Sequence, residues 1–237
     1  NRTPFGEITE EKIKNALAKN EQIILFLNKK GSASAILCRD CGFVEKCENC
    51  GMALAVEKGM LRCIKCGIQK MPPDICPVCK NTRIKFLGTG TEKIESWIRK
   101  ILPETPLIRI DRDTIKNGKE LDEACRTFRN GWAKILIGTS LIRPDLLRQT
   151  QLVVALLPDI TLNYPDLRSS ENTLRQLTLL KSMVKEKGEM IIQTYMKEHA
   201  VYENFLKENW MEWYNAERKK RNLQENLRKN LQEKINI

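Results

Sequence analysis

Apolar residues in this chain follow two patterns: short continuous runs, and stretches spaced at three and four residues. IILFLN (23–28), RIKFLGT (83–89), LIRID (107–111), KILIGT (134–139), LVVALLP (152–158) and EMIIQTY (189–195) are runs of the first kind and predict buried strands. TEKIESWIRKIL (91–102) is of the second kind, with Ile94, Trp97, Ile98 and Ile101 on one helical face. Thr9 predicts an N-cap before EEKIKNALAKN, with Glu10 and Glu11 favourable in the first turn. ELDEACRTFRNG (120–131) reads as a helix ended by Gly131, and ENTLRQLTLLKSMVKEKG (171–188) as one stopped by Gly188. A last helix is expected from about Ala200 through Trp210 and Trp213 into a basic tail. Strands buried on both faces and separated by helices predict a doubly wound α/β domain with a parallel sheet.

The pattern is suspended between residues 38 and 79. There the chain carries four C-x-x-C pairs, Cys38/Cys41, Cys47/Cys50, Cys63/Cys66 and Cys76/Cys79, flanked by Gly, Pro, Lys and Asp. The absence of a basic-then-apolar leader disfavours a disulfide framework and favours zinc. A C-x-x-C turn aims two thiolates at one point, and two turns complete a tetrahedron around Zn²⁺. Two structural zinc ions are therefore expected, with sequential, nested and crossed pairings all open on spacing alone. The chain begins Asn1-Arg2-Thr3 and reads as a fragment of a longer protein. No run approaches the ~20 apolar residues of a membrane span.

Charge adds an expected partner. Lys and Arg number 41 against 30 Asp and Glu, a surplus of +11, which two tetrathiolate zinc sites would lower to about +7. Residues 38–79 hold six basic and five acidic residues, so the surplus lies elsewhere, and residues 216–237 hold seven against three. Nucleic acid is the first anionic partner to expect.

The run IILFLNKKGSASAILCRDCGFVEKCENCG, the GTGTEKIE segment, RIDRDT, KILIGT, NYPDLRSSE and IIQTYMKEHAVYENF together resemble, over about residues 7–221, the bacterial PriA (primosomal protein N′) family of replication-restart helicases. The resemblance implies a RecA-like parallel sheet with helices on both faces, the second lobe of a superfamily 2 helicase, with a two-zinc module inserted after its first strand. The residue pattern itself divides the chain into 1–37 and 80–215 for the lobe, 38–79 for the insert and 216–237 for a basic helical tail. The resemblance implies nested pairing: Cys38, Cys41, Cys76 and Cys79 on one zinc, and Cys47, Cys50, Cys63 and Cys66 on the other. It further implies a cytoplasmic, nucleoid-associated bacterial protein that meets forked or single-stranded DNA, primosome proteins and single-strand-binding proteins, with no membrane partner. Lys29, Lys30, Thr91 and Thr139 are the candidate DNA contacts.

The departures from that family bear on catalysis. A Gln-Val-Ala-Gly-Arg-Ala-Gly-Arg motif is expected on the helix after the PDLR segment. Counted on from Glu171, its two arginine positions fall on Met183 and Glu186. Losing an arginine finger typically costs about 10³–10⁵ in rate. The Lys-Gly-His-Asp-Phe element is replaced by a shorter GTSLIRPDLLRQTQL, and the chain holds no Walker A or Walker B sequence. No catalytic residue is assigned, and ATP with Mg²⁺ is expected only with an upstream lobe. The expected function is DNA binding in replication restart with ATP-driven unwinding lost or impaired. The alternatives are an active 3′–5′ helicase when joined to an upstream lobe, or a zinc-dependent protein scaffold without DNA affinity.

Other chemistry-bearing residues read as structural. Cys125 shares a helical face with Leu121 and Phe128 and is expected in the core. His199, the only histidine, is expected at a helix start. Trp210, Trp213 and Tyr214 are expected as packing residues. Leu223, Leu227 and Leu231 form an apolar stripe in the tail.

Overall fold

The structure is a computed structural model and describes residues 3–27, 35–51, 53–57, 59–63, 66–87, 90–162, 168–209 and 211–219. Its centre is a five-stranded sheet of β1 (Ile23–Leu27), β7 (Leu107–Ile110), β8 (Ile135–Gly138), β9 (Thr150–Leu156) and β10 (Val184–Gln193), in the order β10-β9-β1-β8-β7. All pairings in it are parallel. Alternate residues feed two cores. Ile23, Leu25, Leu27, Ile135, Ile137 and Val154 pack toward α1 (Glu7–Ala18) and α2 (Thr91–Ile101). Ile24, Phe26, Leu136, Val153 and Ala155 pack toward α3 (Gly118–Arg129), α5 (Ser169–Ser182) and α6 (Ala200–Lys207). Burial on both faces is why these strands read as unbroken apolar runs. A one-turn α4 (Asp159–Leu162) follows β9.

The cysteine segment builds its own small sheets. β2 (Ala35–Cys38) pairs antiparallel with β6 (Ile84–Leu87), and β3 (Ala55–Glu57), β4 (Met60–Arg62) and β5 (Gln69–Lys70) form an antiparallel triplet. β6 therefore belongs to a two-stranded ribbon, not to the parallel sheet. Leu37 and Val44 enter the core shared with α1 and α2, whereas Ile36, Cys47, Leu54, Leu61 and Cys63 make a core of their own.

Several boundaries differ from the expected ones. Gly6, not Thr9, caps α1; Thr9 lies buried within the helix, and the Gly6 N–H donates to Gln193 Oε1 at 2.8 Å. The helix expected to run to Gly188 ends at Ser182. Val184 already pairs with Thr150, and Gly188 marks the bulge between Val184 and Glu189 in β10. A Cβ on Gly188 would lie 2.8 Å from the Gln151 carbonyl oxygen, so this glycine serves close backbone approach and not a helix stop. The helix from Ala200 breaks at Glu208, whose φ of 55° is left-handed, and helix resumes over 211–219. Gly131 does follow α3 with φ 82°, and Asn117 caps that helix by accepting the Glu120 N–H at 3.0 Å.

Candidate metal centres and the carboxyl edge of the sheet

Four chain reversals make the metal candidates. In each, the N–H of the residue after the second cysteine donates to the carbonyl of the first: Gly42 to Cys38, Gly51 to Cys47, Gly67 to Cys63 and Lys80 to Cys76, all at 2.8–2.9 Å. The donor residue is left-handed each time, with φ 74°, 69°, 74° and 60°. Glycine takes that conformation without a Cβ penalty, so C-x-x-C-G, present three times, is the sequence signal of the turn. Lys80 adopts it against its preference.

These turns gather the thiols into two sets, Cys38, Cys41, Cys76 and Cys79, and Cys47, Cys50, Cys63 and Cys66, with all Sγ atoms of a set within 4.8 Å of one another. The nested arrangement follows from the pairing of β2 with β6, which places Cys38 opposite Ile84 and so brings the first and last turns together. Sγ separations of 3.5 Å (Cys38–Cys79), 3.6 Å (Cys41–Cys76) and 3.5 Å (Cys50–Cys63) compare with an edge of about 3.8 Å in a tetrahedron with Zn–S bonds of ~2.3 Å. Both sets therefore fit a zinc ion.

The electrostatics of the thiols point the same way. Burial, with bonds to Cys76, Cys79 and Cys38, pushes Cys41 up to about 12. Its neighbour Cys50, with burial, pushes Cys66 up to about 12. Cys76, unlike the exposed Cys41 and Cys66, is a buried residue, yet backbone N–H groups of Cys79 and Val78 pull it down to about 7. Four thiols this close do not readily all ionise alone; a divalent cation bound among them would supply the charge that lets them.

Around this module, the expected DNA contacts fall differently. Lys29, Lys30, Gly88 and Thr89 lie outside the described residues, as do Trp210 and the stripe of Leu223, Leu227 and Leu231. Thr91 opens α2 but is buried, and its hydroxyl donates to Asp111 Oδ2. The other Asp111 oxygen accepts the N–H groups of Asp113 (2.8 Å) and Thr114 (3.0 Å). Arg109 Nε lies 3.1 Å from Asp111, poorly aligned for a hydrogen bond, while its Nη1 donates to Glu95 at 3.1 Å. Burial pushes the Asp111 carboxyl up, but Thr91, the two N–H groups and Arg109 together hold it below its ordinary value. In the sequence RIDRDT carries only a family resemblance; in the fold its Asp111 anchors the α2 N-terminus. Thr139 is buried past the end of β8, and its carbonyl accepts the Ile142 N–H at 3.0 Å.

A second buried carboxylate, Asp159, has no distinguishing sequence signal. It accepts Thr194 Oγ1, the Tyr195 N–H (3.0 Å) and Tyr202 Oη (2.8 Å), tying α4, the end of β10 and α6 together. Burial and the Asp159 charge raise the Tyr202 phenol above its ordinary range.

Met183 is buried at the end of α5 and lines a pocket with Phe26, Ser140 and Arg175. Glu186 is exposed on β10 and lines another cavity, with Lys181, Lys185 and Phe205. The two positions counted as arginine sites thus do not converge. Cys125 is buried and burial raises its thiol; His199 caps α6, its Nδ1 accepting the Val201 N–H at 3.2 Å; Trp213 is buried and Tyr214 exposed.

A parallel α/β sheet covered on both faces, carrying a module of two tetrathiol sites after its first strand, defines an α/β lobe with an inserted candidate metal-binding module. Comparison with known proteins shows what the chain is similar to. The chain is 38% identical over 205 residues to replication restart protein PriA of Bacillus subtilis, covering 84% of this chain and 26% of that protein. It is 32% identical over 220 residues to replication restart protein PriA of Synechocystis, covering 89% of this chain and 26% of that protein. It is 30% identical over 202 residues to replication restart protein PriA of Haemophilus influenzae, covering 83% and 28%. The chain is homologous to a segment of the PriA family and spans about a quarter of the length of these relatives. No protein-family model matches it. Among the described residues no helix is long and apolar enough to cross a membrane.

Proposed function

We propose that this chain is the second helicase lobe of a PriA-type protein acting in cytoplasmic DNA replication restart, with a zinc ion in each tetrathiol set. The observation that carries the reading is the nested pair of four-cysteine sets within a parallel lobe whose sequence is related to PriA. The zinc ions would be structural: each would cross-link two turns of a segment with little apolar sequence of its own. The lobe divides as 1–37 and 80–215, with the insert at 38–79 and a basic tail at 216–237.

The lobe binds forked or single-stranded DNA through its charge surplus, and primosome and single-strand-binding proteins through the module. Its cations act on phosphates, so affinity is modest and steeply salt-dependent. The Thr91 hydroxyl is taken by Asp111, so this candidate contact does not meet a phosphate through its side chain. ATP-driven unwinding is lost or impaired, since neither Met183 nor Glu186 brings positive charge to a γ-phosphate.

The test is fork-DNA binding measured across salt concentration, with and without residues 216–237. A steep salt slope, and a loss of affinity on deleting that net +4, is the expected result. Affinity indifferent to both would overturn the electrostatic account and favour a protein scaffold without DNA affinity.

A further inference from the structure

β10 ends the central sheet on one side: it pairs with β9, and among the described residues no strand lies along its other edge. One bond fixes which of its backbone groups face outward. The Gln193 carbonyl accepts the Leu157 N–H at 3.0 Å, so the peptide groups of Gln193 point to β9, and by alternation so do those of Ile191 and Glu189. The N–H and C=O groups of Met190 and Ile192 therefore face the open edge, where they meet no backbone partner among the described residues. Such groups are a template for an added strand.

A cavity of about 650 Å³ lies along this edge, between β10 and the helices α5 and α6. Met190 and Ile192 of β10 and Phe205 and Leu206 of α6 give it an apolar floor, and Leu206 is 75% exposed. Its lining carries three lysines, Lys181, Lys185 and Lys197, against one carboxylate, Glu186. Lys181 is already taken, paired with Glu208 and lying over the Phe205 ring. Among the described residues no carboxylate pairs with Lys185 or Lys197, whereas Lys12, Lys14, Lys70 and Lys207 each meet one.

We propose that this edge docks an extended acidic segment of a partner protein. The segment adds a strand beside β10, seats alternate apolar side chains on Met190, Ile192 and Leu206, and brings carboxylates to Lys185 and Lys197. Charge selects this occupant over a second copy of the chain, which carries the same lysines and a net charge of +11; edge lysines deter such self-pairing. The backbone selects it over nucleic acid, because the outward carbonyls of Met190 and Ile192 need donors and a phosphate backbone has none. The site goes beyond the replication-restart reading and does not rest on it, since it needs neither the metal sets nor a second lobe.

The experiment measures binding to the full chain, at fixed ionic strength, of a fluorescein-labelled octapeptide of alternating aspartate and valine. Its comparators are the lysine-for-aspartate analogue, the acidic peptide N-methylated at alternate amides, and a single-stranded oligodeoxythymidylate. The variants are Lys185→Glu with Lys197→Glu, Leu206→Asp and, as an equal change of charge beside β8 and β7, Lys100→Glu with Lys119→Glu. The acidic peptide should bind saturably below about 1 mM. N-methylation, which removes strand hydrogen bonds, should weaken it about tenfold. The reversal at Lys185 and Lys197 should do the same or more, Leu206→Asp should weaken it too, and the reversal at Lys100 and Lys119 should leave it unchanged. No saturable binding, equal binding of the lysine analogue or the N-methylated peptide, or equal losses from the two charge reversals overturns the proposal. So does undiminished affinity in Leu206→Asp. A dimer in sedimentation that Lys185→Glu with Lys197→Glu dissociates would give the edge to a second copy instead. Oligodeoxythymidylate binding lost in that variant, with no peptide binding in the wild type, would give it to nucleic acid; each of these also overturns the proposal. Zinc content and fork-DNA affinity, the latter spread over many cations, can persist through all of these results, so failure here leaves the replication-restart reading standing.

Discussion

Gly42, in the first cysteine turn, lies so close to Met196, just past β10, that a Cβ on it would fall 2.8 Å from Met196 Cγ and 3.1 Å from the Tyr195 carbonyl oxygen. The metal-binding module thus meets the lobe through backbone, at a site where the chain is also left-handed. Gly51 has the same left-handed conformation, but a Cβ there would meet nothing within 4 Å. Gly51→Ala should therefore cost about 1–2 kcal/mol, the conformational term alone. Gly42→Ala should cost more, because Tyr195 or the turn must also shift. Chemical denaturation of the two variants checks this, and equal losses would mean the contact yields freely.

Metal content gives a second expectation. Purified protein should carry two zinc ions per chain, and a strong chelator should unfold residues 38–79 while the parallel sheet persists. Cys63→Ser should lower the content to one and leave the set of Cys38, Cys41, Cys76 and Cys79 loaded. Elemental analysis with circular dichroism, or amide exchange by region, reads both effects. One zinc in the wild type, or iron in place of zinc, would contradict the assignment.

Asp111 sets an acid limit. Its folded-state carboxyl titrates below the ordinary value of 3.8. The unfolded chain therefore takes up the proton first as pH falls. The stabilisation is fully present above about pH 4 and is lost progressively below it, as the folded carboxyl protonates. Asp111→Asn should be less stable near neutrality and should flatten the pH dependence of stability below about pH 4, where this linkage acts. Urea denaturation at a series of pH values measures it, and an unchanged acid limb in the variant would assign the loss to other carboxylates.

Met183 and Glu186 lead to an ATPase prediction. Joined to a competent first lobe, this lobe should support little DNA-stimulated hydrolysis. The double change Met183→Arg and Glu186→Arg should fail to restore it, because the two side chains line different cavities. Met183→Arg should in addition destabilise the fold by several kcal/mol, since it buries an unpaired charge where a thioether packs. Family-like turnover in the unaltered lobe would show that another cation fills the arginine role.

The strands of the central sheet and the two-by-two grouping of cysteines were legible in the sequence because each rests on local information. Ile23–Leu27 and Ile135–Gly138 are apolar at every position because both faces are covered, and C-x-x-C spacing alone brings two thiols to one side of a turn. RIKFLGT was legible as a strand, but its partner was not: pairing with Ala35–Cys38 is a contact across the whole insert. That same pairing selects the nested thiol sets over the sequential ones.

Other features depended on where distant residues met. Gly188 has the sequence appearance of a helix stop, and becomes a bulge because Val184 finds Thr150 on the neighbouring strand. Asp111 and Asp159 look like ordinary surface carboxylates until Thr91 and Tyr202 arrive from elsewhere in the chain to bond them. The sequence by itself determined which segments are strands, which turns carry thiols and how much charge the chain bears, since these follow from neighbours a few residues apart. Tertiary structure alone decided which turns share a metal set, which carboxylates are buried, and that Met183 and Glu186 face different cavities. These depend on the packing of segments far apart in sequence, and no local preference encodes a distance between them.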